Sequence, residues 1–293
     1  MNGIITKAIG GLYTVEASDG IFECKARGIF RKKKISPMCG DKVVITEDKD
    51  GCVIEEILPR SSELIRPPLA NLDLLVFVSS TVEPRPNTLL LDKFIAIAEF
   101  KKIKPVVVFT KVDKQPSDKL AEIYRSVGID VFECDNVTGE GSAEVKEFIQ
   151  GKLSAFTGNT GVGKSSLLNN MYPELDIATG EISKKLGRGR HTTRHVQLYK
   201  LDVGGYIADT PGFSSFDTNR YDIIFKDQLA DCFIEFREYT CNCRFPNCSH
   251  TKEKGCAVIE AVKNGDIPQS RFESYVQMYE EARALKEWEY KND

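Results

Sequence analysis

Residues 158–165 read Gly158-Asn159-Thr160-Gly161-Val162-Gly163-Lys164-Ser165, a complete G-x4-G-K-(S/T) octet. It sits between the apolar stretch 153–157 (LSAFT) and the helical run 164–172 (KSSLLNNMY). No other feature restricts the fold as strongly. Glycines let successive backbone N–H groups curl around phosphate oxygens, which needs a strand feeding directly into a helix N-terminus. In that setting Lys164 reaches the β- and γ-phosphates, the Ser165 hydroxyl ligates Mg²⁺, and Ser166 follows in the first helical turn.

The flanking sequence supplies the sheet that such a loop requires. From Leu72 onward, apolar runs (LDLLVFVSS, PVVVFT, IDVFEC) alternate with amphipathic stretches at 88–103, 117–127 and 140–150. This alternation predicts a mainly parallel sheet covered on both faces, with ligands gathered at the carboxyl ends of its strands.

A phosphate loop does not say which base is bound. Thr110-Lys111-Val112-Asp113 directly follows the run 105–109 and matches the (N/T)-K-x-D element of guanine-binding proteins. The Asp113 carboxylate can accept from both guanine N1–H and the exocyclic amine, a donor pair that adenine lacks. Lys111 would lay its aliphatic stem along the base. Glu133-Cys134-Asp135-Asn136 would be the remaining base-side loop, departing from the usual Ser-Ala form. Asp209-Thr210-Pro211-Gly212 matches D-x-x-G, whose Asp holds Mg²⁺ through water and whose Gly N–H senses the γ-phosphate.

Between these lies Gly187-Arg188-Gly189-Arg190-His191-Thr192-Thr193-Arg194, suited to a switch loop in which Thr192 or Thr193 meets Mg²⁺. In chain order the base reader precedes the phosphate loop, the reverse of ordinary GTPases. This is circular permutation, which leaves a site intact because the strands keep their spatial neighbours. It also makes D-x-x-G run straight into the C-terminal segment, an order that suggests a nucleotide switch coupled to that segment.

Ahead of the core, IITKAI, LYTVEA, IFECKA, DKVVITE and CVIEEIL are separated by Gly-Gly, Asp-Gly and Cys-Gly-Asp turn signals. Five short strands so punctuated predict a small barrel, best matched by an OB-type fold. Lys25, Arg27, Arg31, Lys32, Lys33 and Lys34 cluster around one strand and the following loop, suited to an RNA backbone. Residues 59–71 (PRSSELIRPPLAN) carry three prolines and read as a linker.

After Phe216 the strand pattern ends, and a charged helical stretch is predicted over 268–291. In between, Cys243, Cys248, His250 and Cys256 form C-x4-C-x-H-x5-C, with Cys241 a fifth candidate ligand. Thiolates plus one imidazole suit a closed tetrahedral Zn²⁺ site, which is structural rather than catalytic. Cys24, Cys39, Cys52, Cys134 and Cys232 sit singly in the sequence and read as small core hydrophobes.

With 41% hydrophobic and 28% charged residues and a formal charge of −3, the chain is neither disordered nor a polycation, so any RNA contact must be local. Its longest apolar run, 72–78, cannot span a bilayer, and the start lacks a leader pattern. A cytoplasmic location follows as the expectation, with no membrane partner and a monomer as the default.

Barrel, permuted core and Cys/His segment together resemble the RsgA family (also called YjeQ or YloQ) of ribosome small-subunit-dependent GTPases, over essentially the whole chain. The resemblance implies three domains: residues 1–63, an OB-fold RNA-binding domain; 64–218, a circularly permuted α/β P-loop GTPase domain; and 219–293, a helical zinc-binding domain. It implies binding of GTP and GDP with Mg²⁺, one structural zinc on Cys243, Cys248, His250 and Cys256 with Cys241 a bystander, and action on the 30S subunit and its 16S rRNA late in maturation.

Many GTPases place a water-orienting Gln directly after D-x-x-G, but here that position is Phe213. His191, beside the switch threonines, is the nearest group able to orient or deprotonate water at neutral pH, and the resemblance points to it as well. Arg188, Arg190 and Arg194 suit either RNA contacts or internal charge stabilisation. Three functional classes stand: a GTPase controlling small-subunit binding, a P-loop kinase of a small substrate, which Lys111 and Asp113 argue against, and a nucleotide-gated rRNA-binding module with negligible turnover.

Overall fold

A computed structural model describes residues 1–32, 35–49, 51–175, 196–202, 204–209 and 223–285. The first five strands, β1 (Asn2–Ile9), β2 (Leu12–Ala17), β3 (Gly20–Ala26), β4 (Lys42–Asp48) and β5 (Gly51–Ile57), pair in the order β1-β2-β3-β5-β4. β4 returns to β1 and closes the barrel. The β3–β5 seam is parallel; the other barrel pairings are antiparallel. Alternate residues point inward, as the strand period demands. Ile5, Val15, Cys24, Val43, Ile45 and Ile54 are fully buried, and Phe30 from the short helix α1 (Gly28–Lys32) packs with them.

The predicted linker is instead a packed strap. A two-strand hairpin, β6 (Glu63–Leu64) and β7 (Leu69–Ala70), buries Leu64, Leu69 and Ala70 completely. Arg60 binds Asp41 through Nε and Nη2 at 2.7 and 2.8 Å. The Asn71 carboxamide accepts from the Ser61 N–H and donates to the Gly40 carbonyl, both at 2.9 Å. A Cβ on Gly40 would lie 2.0 Å from the Ala70 carbonyl oxygen, so this approach requires glycine. Proline content signalled irregular backbone; it carried no information about two leucines that find a pocket only after the barrel and core meet.

The core then runs β8 (Leu74–Ser80), α2 (Thr88–Phe100), β9 (Lys104–Thr110), α3 (Asp118–Ser126), β10 (Asp130–Cys134), α4 (Ser142–Ile149), β11 (Leu153–Thr157), α5 (Lys164–Met171), β12 (Gln197–Lys200) and β13 (Tyr206–Asp209). Its strand order is β10-β9-β8-β11-β13-β12, parallel except for β12. β12 also touches β1 at the Lys7–Gln197 register, making the sheet continuous with the barrel.

All seven residues of β8 are buried, because both faces are covered. Leu75 and Phe77 face α2 and α3 with Leu91, Phe94 and Tyr124, while Leu74, Val76 and Val78 face α4 and α5 with Val145, Leu167 and Leu168.

The C-terminal region contains α6 (Lys226–Leu229), α7 (Arg237–Thr240), α8 (Ala257–Asn264) and α9 (Gln269–Ala284). Phe233, Phe236 and Tyr275 stack at its centre, with ring centroids 4.7–5.2 Å apart. Ala96 of α2 joins this cluster, and Lys93–Glu281 and Arg237–Glu99 ion pairs flank the contact. The C-terminal helices therefore dock on α2. Among the described residues no helix is long and apolar enough to cross a membrane.

Candidate nucleotide site and metal centre

β8, β9, β10 and β11 end on one side of the sheet, where Ser80, Thr110 and Cys134 lie in register and Phe77 pairs with Thr157. The octet leaves β11 there. A Cβ on Gly158 would meet the Val78 carbonyl oxygen at 2.2 Å, so the turn can cross the neighbouring strand only as glycine. Val162 is buried and anchors the loop from beneath, and α5 starts at Lys164. Ser165 and Ser166 sit half-buried in its first turn, where the backbone N–H groups lack helical partners. Asn159 is half-buried, whereas Thr160 and Gly161 are exposed at the tip.

The two motifs, well separated in the chain, interlock through side chains on backbone carbonyls. The Thr110 hydroxyl donates to the Val162 carbonyl and stands 3.3 Å from that of Ser79. The Lys111 ammonium donates to the Gly161 carbonyl at 2.7 Å and to the Glu83 carbonyl. Lys111 adopts φ 61°, which turns its side chain back toward the loop. Val112 is half-buried against the core, and the Asp113 carboxylate is exposed beyond the strand end.

Asn136 completes the clamp, donating from Nδ2 to the Gly163 carbonyl at 2.9 Å. Its own carbonyl accepts from Asn170 at 3.1 Å. Asp135 shapes this turn by accepting from the Thr138 hydroxyl and the Val137 N–H, both at 2.7 Å; these donors hold its carboxyl below the usual range. Burial pushes the Glu133 carboxyl up, but the Ser117 hydroxyl and the Arg125 guanidinium outweigh that and bring it below its ordinary value.

Sequence reasoning placed 133–136 beside the base but missed the Asn136 clamp and the Lys111 tether. It also missed the loop 81–87, whose Pro84 and Arg85 line a small cleft with Ser79, Asn87 and Asn159. A rule that ligands gather at strand carboxyl ends would have flagged that loop, since it follows β8.

The Asp209 backbone closes β13, with Ala208 in register with Ala155 of β11, so D-x-x-G starts at the same end of the sheet as the octet. His191, Thr192, Thr193, Gly212 and Phe213 lie outside the described residues, as do Arg188, Arg190, Arg194, Lys33 and Lys34.

Cys243, Cys248, His250 and Cys256 converge, with one ligand atom from each and all within 4.8 Å of one another. Cys243 Sγ lies 3.8 Å from Cys256 Sγ, and His250 Nδ1 lies 3.5 and 3.4 Å from those two sulfurs. Tetrahedral Zn–S bonds near 2.3 Å and Zn–N bonds near 2.0 Å require edges of about 3.8 and 3.5 Å, which the three distances among Cys243, His250 and Cys256 match. Burial depresses the His250 imidazole pKa, which favours the neutral form that can ligate. Tyr275 of α9 donates to the Ser249 carbonyl at 2.8 Å, tying the centre to the helical core. Cys241 is exposed and outside the set.

The sequence matches the family model described as RsgA GTPase over residues 57–219, and that described as RsgA N-terminal domain over 2–53. It is 44% identical to the small ribosomal subunit biogenesis GTPase RsgA of Caldanaerobacter subterraneus subsp. tengcongensis, over 100% of this chain and 99% of that one. It is 43% identical to the protein of that name from Geobacillus kaustophilus, over 97% and 98%.

Among solved structures, YjeQ from Thermotoga maritima superposes with a TM-score of 0.82 at 35% identity, covering 97% of this chain and 99% of that one. YloQ, described as a circularly permuted GTPase, gives 0.80 at 37%, covering 97% and 96%. The GTPase family model covers more than half of the chain and these relatives align along nearly all of it, so this chain belongs to the RsgA GTPase family.

Proposed function

We propose that this protein binds the 30S ribosomal subunit and hydrolyses GTP to GDP and phosphate during late small-subunit maturation, its nucleotide state setting its hold on the subunit. Membership of the RsgA GTPases makes it a GTP hydrolase. The observation that supports the nucleotide part of the reading is the interlock of Thr110, Lys111 and Asn136 with the carbonyls of Val162, Gly161 and Gly163, which sets a guanine-type motif against a phosphate-type loop.

In this reading Asp113 selects guanine, and Thr110, Lys111 and Val112 carry it. Residues 158–166, namely Gly158, Asn159, Thr160, Gly161, Val162, Gly163, Lys164, Ser165 and Ser166, hold the phosphates. Ser165, with Thr192 or Thr193, supplies hard oxygen donors for Mg²⁺, and Asp209 and Gly212 complete the γ-phosphate side. Mg²⁺ neutralises phosphate charge when bound. His191 orients the attacking water. One structural Zn²⁺ on Cys243, Cys248, His250 and Cys256 supports the helical domain. Exposed Lys25, Arg27 and Lys32 on the barrel face 16S rRNA.

The division into 1–63, 64–218 and 219–293, a monomeric state, and a cytoplasmic location without a membrane partner belong to the same proposal. GTP turnover measured with and without purified 30S subunits tests it. Stimulation by the subunit is expected; a rate indifferent to 30S would sink the ribosomal reading, and no turnover under either condition would favour an RNA-binding module gated by nucleotide.

A further inference from the structure

Cys24 and Cys52 belong to the barrel core, as expected of small apolar residues, but although they sit singly in the sequence they are neighbours in space. The parallel seam of the barrel puts them in direct register across β3 and β5, with their sulfurs 2.7 Å apart. Neighbouring strands run about 4.8 Å apart, inside the range of about 4.4–6.8 Å between Cα atoms that a disulfide spans, so no backbone movement is needed to join them. The other cysteines outside the metal centre are differently placed. Cys39 donates to the Val196 carbonyl, Cys232 lies against the Gln228 carbonyl, Cys134 is packed in the sheet core, and Cys241 is exposed.

We propose that Cys24 and Cys52 form an oxidant-sensitive thiol pair, a modification site that closes to a disulfide across the barrel seam when a peroxide is present. The two thiols divide the labour by position. Cys52 is half-buried at the start of β5 and open to a small oxidant, while Cys24 is fully buried among Ile5, Val15 and Ile54. Burial pushes the Cys24 thiol up to about 12, and its S–H donates to the Cys52 sulfur.

Cys52 therefore reacts first: its sulfur attacks the peroxide O–O bond, takes one oxygen to become a sulfenic acid, and releases an alcohol or water. Cys24 sulfur then displaces that oxygen, its own proton leaving with it as water. Two thiols lose two electrons in all, one peroxide gains them, and a dithiol reductant reverses the change. In a reducing compartment the resting state is the dithiol. The site is independent of what the barrel binds.

Full-length, zinc-loaded protein is reduced, exposed to hydrogen peroxide, alkylated and digested for mass analysis. A cross-linked Cys24–Cys52 peptide pair is expected, lighter by two hydrogens than its reduced halves and released by dithiothreitol. Cys52→Ser should abolish it while Cys241 oxidises as before. Amide exchange in β3 and β5 should slow in the oxidised protein, a measurement that needs no variant to fold. Separately alkylated Cys24 and Cys52, or Cys52 driven to sulfinic acid uncrosslinked, at a dose that oxidises Cys241, would overturn the proposal.

Discussion

Arg271 of α9 donates from Nη1 to Asp92 Oδ1 of α2 at 2.7 Å, and both side chains are only 1% exposed. Its Nε and Nη2 bind the two Glu235 carboxylate oxygens at 2.7 and 3.1 Å, and its guanidinium lies 4.7 Å from the Phe233 ring centroid. One cation thus pairs with two buried acids, leaving Asp92 Oδ2 buried without a hydrogen-bond partner among the described residues, and fastens the C-terminal helices to the first helix of the nucleotide core. The route between the two units runs through α2, which leads back to the loop 81–87 beside the phosphate loop, and not only along the chain after D-x-x-G.

Removing one member of such a set leaves uncompensated buried charge. Arg271→Met is expected to cost about 3–5 kcal/mol in denaturant unfolding, whereas Lys263→Met, which breaks an exposed pair with Glu260, should cost at most about 1 kcal/mol. Equal effects of the two would show that the Arg271 cluster does not hold the domains together.

Lys111→Met keeps the aliphatic stem but deletes the ammonium that spans the Gly161 and Glu83 carbonyls. Hydrogen bonds from a charged donor contribute about 1.5–3 kcal/mol. These bonds are made without nucleotide, so their loss should lower thermal stability and, by releasing the phosphate loop, reduce GDP affinity about 10- to 100-fold on calorimetric titration. Unaltered affinity would make the tether ornamental.

Asp113→Asn replaces an acceptor pair with a group that can donate. Xanthine presents the complementary pattern, so preference should move from GTP to xanthosine triphosphate in competition binding. A variant that still selects GTP would refute Asp113 as the base reader.

His191→Ala should lower GTP turnover about 100- to 10,000-fold while GDP affinity stays within a few-fold, because a water-positioning group acts on hydrolysis and not on binding. Turnover close to wild type would remove His191 from the mechanism.

Chelation of the metal, or Cys256→Ser, should unfold the C-terminal helices while leaving the barrel and nucleotide core intact. Far-ultraviolet dichroism and amide exchange in α8 and α9 would report it, since a structural zinc centre contributes its binding energy to folding. Cys241→Ser should leave both unchanged. Protected α9 amides in the metal-free protein would contradict the structural role.

Local chemistry alone determined much of this protein. Period-two apolar runs between glycine turns specified the barrel, buried both-face strands such as 74–80 specified the parallel sheet, and the glycines of 158–163 specified a loop that only a strand-to-helix turn accommodates. The Cys/His cluster was legible because its four members lie within fourteen residues.

What the tertiary structure decided are pairings between residues far apart in the chain: Lys111 on Gly161, Asn136 on Gly163, Cys24 beside Cys52, Arg271 between Asp92 and Glu235, and the strap at 59–71 packed rather than free. Each depends on strand register or helix docking, and a linear pattern carries neither, because the partner of a side chain exists only once the sheet order and the packing of helices have been set.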